Sequence, residues 1–165
     1  MDKNAILSLF AYNRWATERI FHATQPLSHE QYIAPVRLSH DSLRGTLLHL
    51  LSTEWIWRMR CQHHISPSAF LSEDQFPTRD TFHYRWQAEQ EAMQDFLTHI
   101  DDRELSQPVT YTNTKGQVFS TILWQILFHV VNHSTQFRSE AAVILTAYGH
   151  SPGDLDYIAF LRMNQ

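Results

Sequence analysis

Two histidines four residues apart, His129 and His133, lie in the most apolar stretch of the chain, which reads ILWQILFHVVNH from residue 122. In an α-helix, residues with this spacing share a face and lie about 6 Å apart along the axis, so both imidazoles can bind one metal ion. A third histidine, His49, lies within a second apolar run, LLHLL over residues 47–51. If two helices pack side by side and bring the three rings together, they form a metal site with a coordination position left for water or substrate.

The spacing alone is weak evidence, because the chain has 11 histidines and chance places on the order of one pair at this spacing. The apolar setting is stronger evidence. A buried neutral imidazole needs a partner for each ring nitrogen, and one ion satisfies one nitrogen on each of three rings. The alternative is that the three histidines only satisfy one another. We expect the other histidines to be solvated surface residues: His22, His29, His40, His63, His64, His83, His99 and His150.

Length and composition limit the class of protein. A chain of 165 residues predicts a single domain, residues 1–165, that buries a core without disulfides. Cys61 is the only cysteine, which excludes a zinc site built from several thiolates and fits a reducing compartment. The net charge is −4 and the 13 basic residues are scattered, so we expect no nucleic-acid binding. No signal peptide or membrane span is visible, and we expect a cytoplasmic protein that binds no membrane.

Four long amphipathic patterns predict the helices that position the histidines. They cover residues 3–24, 41–62, 79–100 and 121–147. Their expected N-terminal caps are Ser39 or Asp41 for the second helix, Thr78 for the third and Ser120 for the fourth, which Gly149 ends. The residues between the third and fourth helices predict a β-hairpin that turns at residues 113–116. A short helical segment over residues 155–161 is expected to pack back at the C-terminus.

Together these elements predict an all-α fold, a four-helix bundle with a small β-hairpin before the last long helix and a short C-terminal helix. The connections between the long helices differ in length, which allows crossover topology. In the last helix, apolar residues and both histidines recur every three or four positions, so we expect His129 and His133 to lie on the inward stripe. Metal centres in bundles are built by inward-facing side chains on neighbouring helices, which is where the second helix carries His49.

Four motifs point to a known family: YNRW at residues 12–15, His49 followed by EWIW at 54–57, HVVNHSTQFRSE at 129–140, and GHSPGDLD at 149–156. With them the chain resembles, over nearly its whole length, the DinB-like (DinB/YfiT-like) superfamily of metal-dependent four-helix bundle proteins. The resemblance implies that His49, His129 and His133 are the ligands of one divalent ion. One position departs from the pattern. Many relatives carry a further histidine directly before the arginine, where this chain has Phe137.

The resemblance also implies a chemistry. Three neutral imidazoles leave the charge of a divalent ion uncompensated, so the ion can lower the pKa of a bound water or thiol, or polarise a carbonyl. Superfamily relatives include transferases and isomerases that use low-molecular-weight thiols such as bacillithiol or mycothiol. We therefore expect a metal-dependent hydrolase or thiol-dependent transferase that acts on a small-molecule substrate. Imidazole ligands suit zinc, nickel, copper and iron alike, and we expect zinc or nickel, with a low-molecular-weight thiol as an optional second cofactor.

The alternative is a non-catalytic helical dimer that binds a metal or ligand, and we expect a homodimer in either case. No catalytic residue can be named from the sequence. Candidates for a second layer around the ion, or for a substrate pocket, are Asn13, Trp15, Asn132, Phe137 and Arg138. Arg138 suits either recognition of an anionic substrate or a salt bridge between two helices. Glu54 lies five residues after His49 and is turned about 140° around the helix, so it is expected to face another helix. For the aromatic residues, the alternative role is ordinary core packing.

Overall fold

Four long helices form the protein, which a computed structural model describes over residues 1–163. In chain order the elements are α1 (Lys3–Thr24), α2 (His29–Ile33), α3 (Leu43–Gln62), α4 (Arg79–His99), α5 (Asp102–Leu105), β1 (Pro108–Thr112), β2 (Val118–Ile122), α6 (Leu123–Ala147) and α7 (Tyr157–Met163). The four long helices, the antiparallel hairpin of β1 and β2, and the short C-terminal helix confirm the predicted all-α fold. None of the described helices is both long and apolar enough to span a bilayer.

Two of the three connections between the long helices cross the bundle. α1 packs against α4 and α6, and α3 packs against the same two helices. The consecutive helices α1 and α3 therefore lie on one diagonal of the bundle, and α4 and α6 lie on the other. Residues 25–42 and 100–122 form the two crossover connections. This arrangement places α3 beside α6, and so brings the two apolar runs that carry the histidines into contact.

The start of α3 differs from the prediction of a cap at Ser39 or Asp41. The cap is Ser42, whose hydroxyl accepts a hydrogen bond from the N–H of Gly45 at 2.9 Å. Ser39 instead donates to the carboxylate of Glu140 on α6 at 2.7 Å. Asp41 has a φ of 31°, a left-handed conformation that cannot belong to the helix. The loop before α3 therefore turns sharply and is tied to α6.

The predicted cap of α6, Ser120, is also wrong. Ser120 lies within β2, and the strand runs directly into the helix at Leu123. The N–H of Leu123 donates to the carbonyl of Gln107 at 2.9 Å, so a main-chain acceptor takes the place of a side-chain cap. At the other end the prediction holds, because Gly149 follows the helix with a φ of 81°. Thr78 caps α4 as predicted.

Two short helices, α2 and α5, lie in the connections between long helices, where no helix was predicted. Each begins with a capping box, in which the cap side chain bonds to the backbone three residues on and the later side chain bonds back. The pairs are Ser28 with Gln31, and Asp101 with Glu104. Both helices therefore form from local hydrogen bonds within the crossover connections.

The core consists of two apolar clusters with a polar layer between them at the middle of the bundle. The first cluster includes Phe10 and Leu127, and the second includes Leu47 and Trp86. Between the clusters, each long helix contributes one buried polar side chain to what we call the polar layer: Asn13, Glu54, Gln90 and Ser134.

Candidate metal centre

His49 on α3 and His133 on α6 face each other where the two helices pack. Their Nε2 atoms lie 3.1 Å apart, and their ring centroids 5.0 Å apart. Two imidazoles that bind one tetrahedral zinc ion at about 2.0–2.1 Å place their nitrogens roughly 3.3 Å apart. The separation suits two ligands of one ion, and it also suits a hydrogen bond between two neutral rings. Both side chains are half-buried.

His129 stands beside this pair rather than within it. Its ring centroid is 5.7 Å from that of His133 and 5.5 Å from that of Trp57. The residue is exposed, so its predicted place on the inward stripe is wrong. The reason is helical phase, because four residues advance by about 400°, roughly 40° more than a full turn. Within residues 1–163, no three His, Cys, Asp or Glu side chains are grouped closely enough to hold an ion as they stand.

Phe137 occupies a third side of the histidine pair. Its ring centroid lies 4.5 Å from those of both His49 and His133, and its side chain is 7% exposed. A phenyl ring has no lone pair to donate, so the position where many relatives carry a histidine cannot bind an ion here. The ring instead keeps water from one side of the pair.

His40 joins the site from the loop before α3. Its ring stacks on that of His49, with centroids 3.9 Å apart and planes 24° apart, and lies 5.2 Å from the ring of Phe137. The prediction of a solvated surface histidine is therefore wrong, because the side chain is half-buried. The sequence pattern could not identify it, since His40 lies in a connection with no hydrophobic periodicity.

Burial keeps the imidazoles of the site neutral. Burial lowers the pKa of His49 to about 4, and the neighbouring His40 acts in the same direction. Burial likewise lowers the pKa of His133 to about 4, with a smaller effect of the other histidines. Partial burial also lowers the pKa values of His129 and His40, although the charge of Glu140 opposes this at His40. At pH 7 the four rings are neutral, which is the protonation state that metal binding requires.

The second ring nitrogen of His133, Nδ1, is buried and has no hydrogen-bond partner among the described residues. In the ion-free pair this nitrogen can remain unprotonated while Nε2 donates to His49. An ion at Nε2 would place the proton on Nδ1, and ligating histidines usually donate that N–H to an acceptor. The described residues supply none, so a water molecule would be needed there. The two Nε2 atoms therefore suit a metal ion as donors. The surroundings of His133 suit it less, because no described residue accepts a hydrogen bond from Nδ1.

A cavity of about 430 Å³ opens beside His49, between the start of α3 and the connection from α3 to α4. Its size is in the range of small-molecule sites. Phe70, which is 51% exposed, lies over one side of it and contacts the His49 ring at a centroid distance of 5.6 Å. The cavity gives small molecules a route to the His49 member of the pair. Its walls include His40, Leu48, His49, Phe70, Leu71 and Glu73.

Asn13 and Arg138 belong to the centre of the bundle rather than to the histidine pair. The Asn13 side chain donates to Glu54 at 2.6 Å and accepts from Arg138. Arg138 is 1% exposed and also donates to Thr17 at 3.3 Å and to Thr135 at 3.0 Å. A guanidinium this deeply buried is not available to an anionic substrate. It joins α6 to α1, through hydrogen bonds rather than through the salt bridge considered from the sequence.

Glu54 faces the other helices, as predicted. It is 1% exposed and accepts hydrogen bonds from Asn13 at 2.6 Å, Gln90 at 2.8 Å and Ser134 at 3.0 Å, so it bonds to one residue on each other long helix. Burial raises the pKa of Glu54, while the bonds from Asn13 and Ser134 and the charge of Arg138 act in the opposite direction. Because Ser134 is the next residue after the site histidine of α6, this polar layer also fixes the part of α6 that carries the site.

The remaining two candidates lie elsewhere. Trp15 packs against Phe160 of α7, with ring centroids 5.7 Å apart, and Arg19 lies over its ring at 5.3 Å. Its role is therefore packing between α1 and α7, which was the alternative for the aromatic candidates. Asn132 is exposed on the outer face of α6.

Fold and site together define a class of protein, a crossover four-helix bundle with a histidine pair on two facing helices beside a cavity of small-molecule size. A family model described as DinB family matches residues 1–165. The chain is also similar to Protein DinB of Bacillus subtilis (strain 168), with 24% identity over 167 residues, which cover 95% of this chain and 94% of that protein. The chain therefore belongs to the DinB family, which confirms the resemblance carried by the sequence motifs.

Proposed function

We propose that this DinB family protein is a metal-dependent enzyme that binds one divalent ion between His49 and His133. The observation that supports this most directly is the 3.1 Å separation of the two Nε2 atoms, on rings that burial keeps neutral. Zinc or nickel is the proposed ion, because both accept imidazole ligands. A third imidazole completes the protein ligands, and the sequence spacing nominates His129 for this role. When bound, such an ion supplies Lewis-acid chemistry.

The protein's own residues bind and orient the reactants. The cavity beside His49 admits the substrate, and its apolar walls favour a small molecule with an apolar portion. Phe137 shields the histidine pair from water on one side. Burial raises the pKa of Cys61 to about 12, so this thiol stays protonated at neutral pH and is not a nucleophile. A thiol-dependent transfer would therefore need an external low-molecular-weight thiol, whereas a hydrolysis would need only water.

The outer face of α6 supports a second proposal, that the protein forms a homodimer. The helix has only two charged residues, Arg138, which is buried, and Glu140, which is bonded to Ser39. Its exposed side chains carry no formal charge and include the apolar Phe128 and Val143 among polar residues such as Gln125 and Gln136, and depletion of charge is typical of the core of an interface. Sedimentation velocity is expected to show a dimer for the wild-type chain and a monomer for Phe128→Glu. A wild-type monomer at micromolar concentration would rule the homodimer out.

Metal titration tests the proposed enzyme. Untagged protein is stripped with a chelator and titrated with Zn²⁺ or Ni²⁺ against a chromophoric competitor. We expect about one tight ion per wild-type chain. His133→Ala is expected to weaken binding about 100-fold, since about 10–16 kcal/mol for a four-ligand zinc site corresponds to roughly 3 kcal/mol per ligand. His22→Ala, which removes an exposed histidine of α1, is the matched control. A wild-type chain that takes up no ion, or a His133→Ala variant that binds as tightly, contradicts the proposal.

A further inference from the structure

We infer that His40, on the loop before α3, rather than His129, supplies the third imidazole of the metal centre. This inference rests on the proposed function, because it concerns the ligands of the same ion. His40 contacts the rings of His49 and Phe137, which both border the point where an ion would sit. His129 contacts the rings of His133 and Trp57, and no ring contact joins it to His49 among the described residues.

The His40 ring must leave its stack on His49 before both rings can bind one ion. Two imidazoles on one tetrahedral ion have ring centroids about 5 Å apart, and His49 and His133 already stand at 5.0 Å. The stack of His40 on His49, at 3.9 Å, is about 1 Å shorter than that value, so the His40 ring must slide off the stack and turn a nitrogen toward the point between His49 and His133. Within the described chain, neither ring nitrogen of His40 has a hydrogen-bond partner, so the movement breaks no hydrogen bond.

The loop that carries His40 is held against the site at two points. Ser39 donates to Glu140 of α6 at 2.7 Å. On the other side, a Cβ at Gly45 would lie 2.7 Å from the carbonyl oxygen of His40, closer than such atoms normally approach. Only a glycine at position 45 therefore lets the loop lie this close to α3. Both contacts keep the His40 ring above the histidine pair rather than in solvent.

Glu140 provides a second, independent observation. One of its carboxylate oxygens accepts the Ser39 hydroxyl, and the other is buried with no partner among the described residues. Glu140 follows His133 by seven residues, or two helical turns, so the two side chains lie on the same side of α6. Metal-bound histidines usually donate their second N–H to such a carboxylate, and a negative charge nearby compensates that of the ion. The unpartnered oxygen suits this role once His40 binds through its other nitrogen.

The test compares three variants of the full chain by the competition titration with Zn²⁺. His40→Ala removes the imidazole, His40→Phe keeps an aromatic ring for stacking but no nitrogen, and His129→Ala removes the alternative ligand. We expect both His40 variants to weaken Zn²⁺ binding about 100-fold, as for the loss of one ligand, with His129→Ala close to wild type. The visible absorption band of bound Co²⁺ is expected to change in His40→Phe and not in His129→Ala. Circular dichroism verifies that each variant is folded, and His40 and His129 are not core residues.

The other outcomes separate the two proposals. Wild-type affinity in both His40 variants overturns the inference and leaves the metal proposal intact, and a loss in His129→Ala alone would assign the third ligand to His129. Wild-type affinity in His40→Phe with a loss in His40→Ala also overturns it, since His40 would then act only by stacking. A wild-type chain that binds no Zn²⁺ overturns the metal proposal itself, and the wild-type titration reveals this before any variant is made.

Discussion

Replacement of Phe137 by histidine is expected to tighten metal binding. Phe137 follows His133 by one helical turn, and its ring lies 4.5 Å from the rings of both His49 and His133. An imidazole at this position would therefore face the same point as the other two. Structural zinc sites with four ligands gain about 10–16 kcal/mol, or roughly 3 kcal/mol per ligand, which corresponds to about a 100-fold lower Kd.

The same substitution carries a cost in folding. Phe137 is 7% exposed, and a buried imidazole without an ion loses apolar packing and leaves polar atoms poorly paired, at about 1–3 kcal/mol. The loss of apolar packing is present with and without the ion, so it lowers the free energy of unfolding without lowering the affinity for the ion. The unpaired ring nitrogen adds to the cost only while no ion is bound. Without metal, Phe137→His is therefore expected to unfold at lower urea concentration than the wild-type chain, and added Zn²⁺ is expected to reverse this.

The assay is the competition titration with Zn²⁺, paired with urea unfolding at the same pH. Phe96→His is the matched control, because Phe96 is also 7% exposed but lies in the other apolar cluster. It is expected to lower the stability to a similar degree and to leave the Zn²⁺ affinity unchanged. If Phe137→His binds Zn²⁺ no more tightly than the wild-type chain, or if Phe96→His gains as much, position 137 does not face the ion and the assignment of the site is refuted.

Three further predictions concern the polar layer, the histidines and the loop before α3. Glu54→Ala leaves three buried donors without their acceptor and is expected to lower the free energy of unfolding by about 3–5 kcal/mol, measured in urea. The control, Glu91→Ala at an exposed site of α4, is expected to change it by less than about 0.5 kcal/mol. Equal effects of the two variants would contradict the role of the polar layer. The metal-free chain is expected to lose stability as the pH falls from about 6.5 to about 4. Over this range His49 and His133 bind protons in the unfolded chain but not in the folded chain, where their pKa values are lowered to about 4. An unfolding midpoint that does not change over this range would show that the two rings are not held neutral. Gly45→Ala is expected to weaken Zn²⁺ binding, because the added Cβ would lie 2.7 Å from the carbonyl oxygen of His40 and would displace the loop. Unchanged affinity would show that metal binding does not depend on the position of this loop.

The sequence predicted the parts of the fold that depend on periodic burial. The four long helices follow from the 3.6-residue repeat of apolar side chains, and the unequal connections allowed the crossover topology that the packing of α3 against α6 shows. The predicted caps of α3 and α6 were wrong because other hydrogen bonds and the preceding strand compete locally with a side-chain cap. Ser39 bonds to α6 instead of capping α3. β2 ends directly before α6, where the carbonyl of Gln107 takes the place of a side-chain cap. The capping-box residues of α2 and α5 are visible in the sequence, but these helices were missed because helices were predicted from hydrophobic periodicity alone.

The candidate site was predictable where histidines lie within two apolar runs, His49 in one and His129 and His133 in the other. His49 and His133 meet because their helices pack together. His129 does not join them, since the roughly 40° phase advance per four residues turns it away from α3. His40 and Glu140 could not be predicted, because a loop position has no periodicity and its place depends on tertiary contacts. Arg138 looked like a group for binding anions, but its burial among the side chains of α1 is a property of the fold that sequence spacing does not show.

The most direct measurement is a crystal structure of the Zn²⁺-loaded wild-type chain, with anomalous data collected on both sides of the zinc absorption edge. The proposal predicts an anomalous peak about 2.0–2.1 Å from the Nε2 atoms of both His49 and His133, with at least one coordination position open toward the cavity. A peak that bridges other histidines, no peak between these two rings, or four protein ligands that close the ion off from the cavity would contradict a catalytic metal centre in this protein.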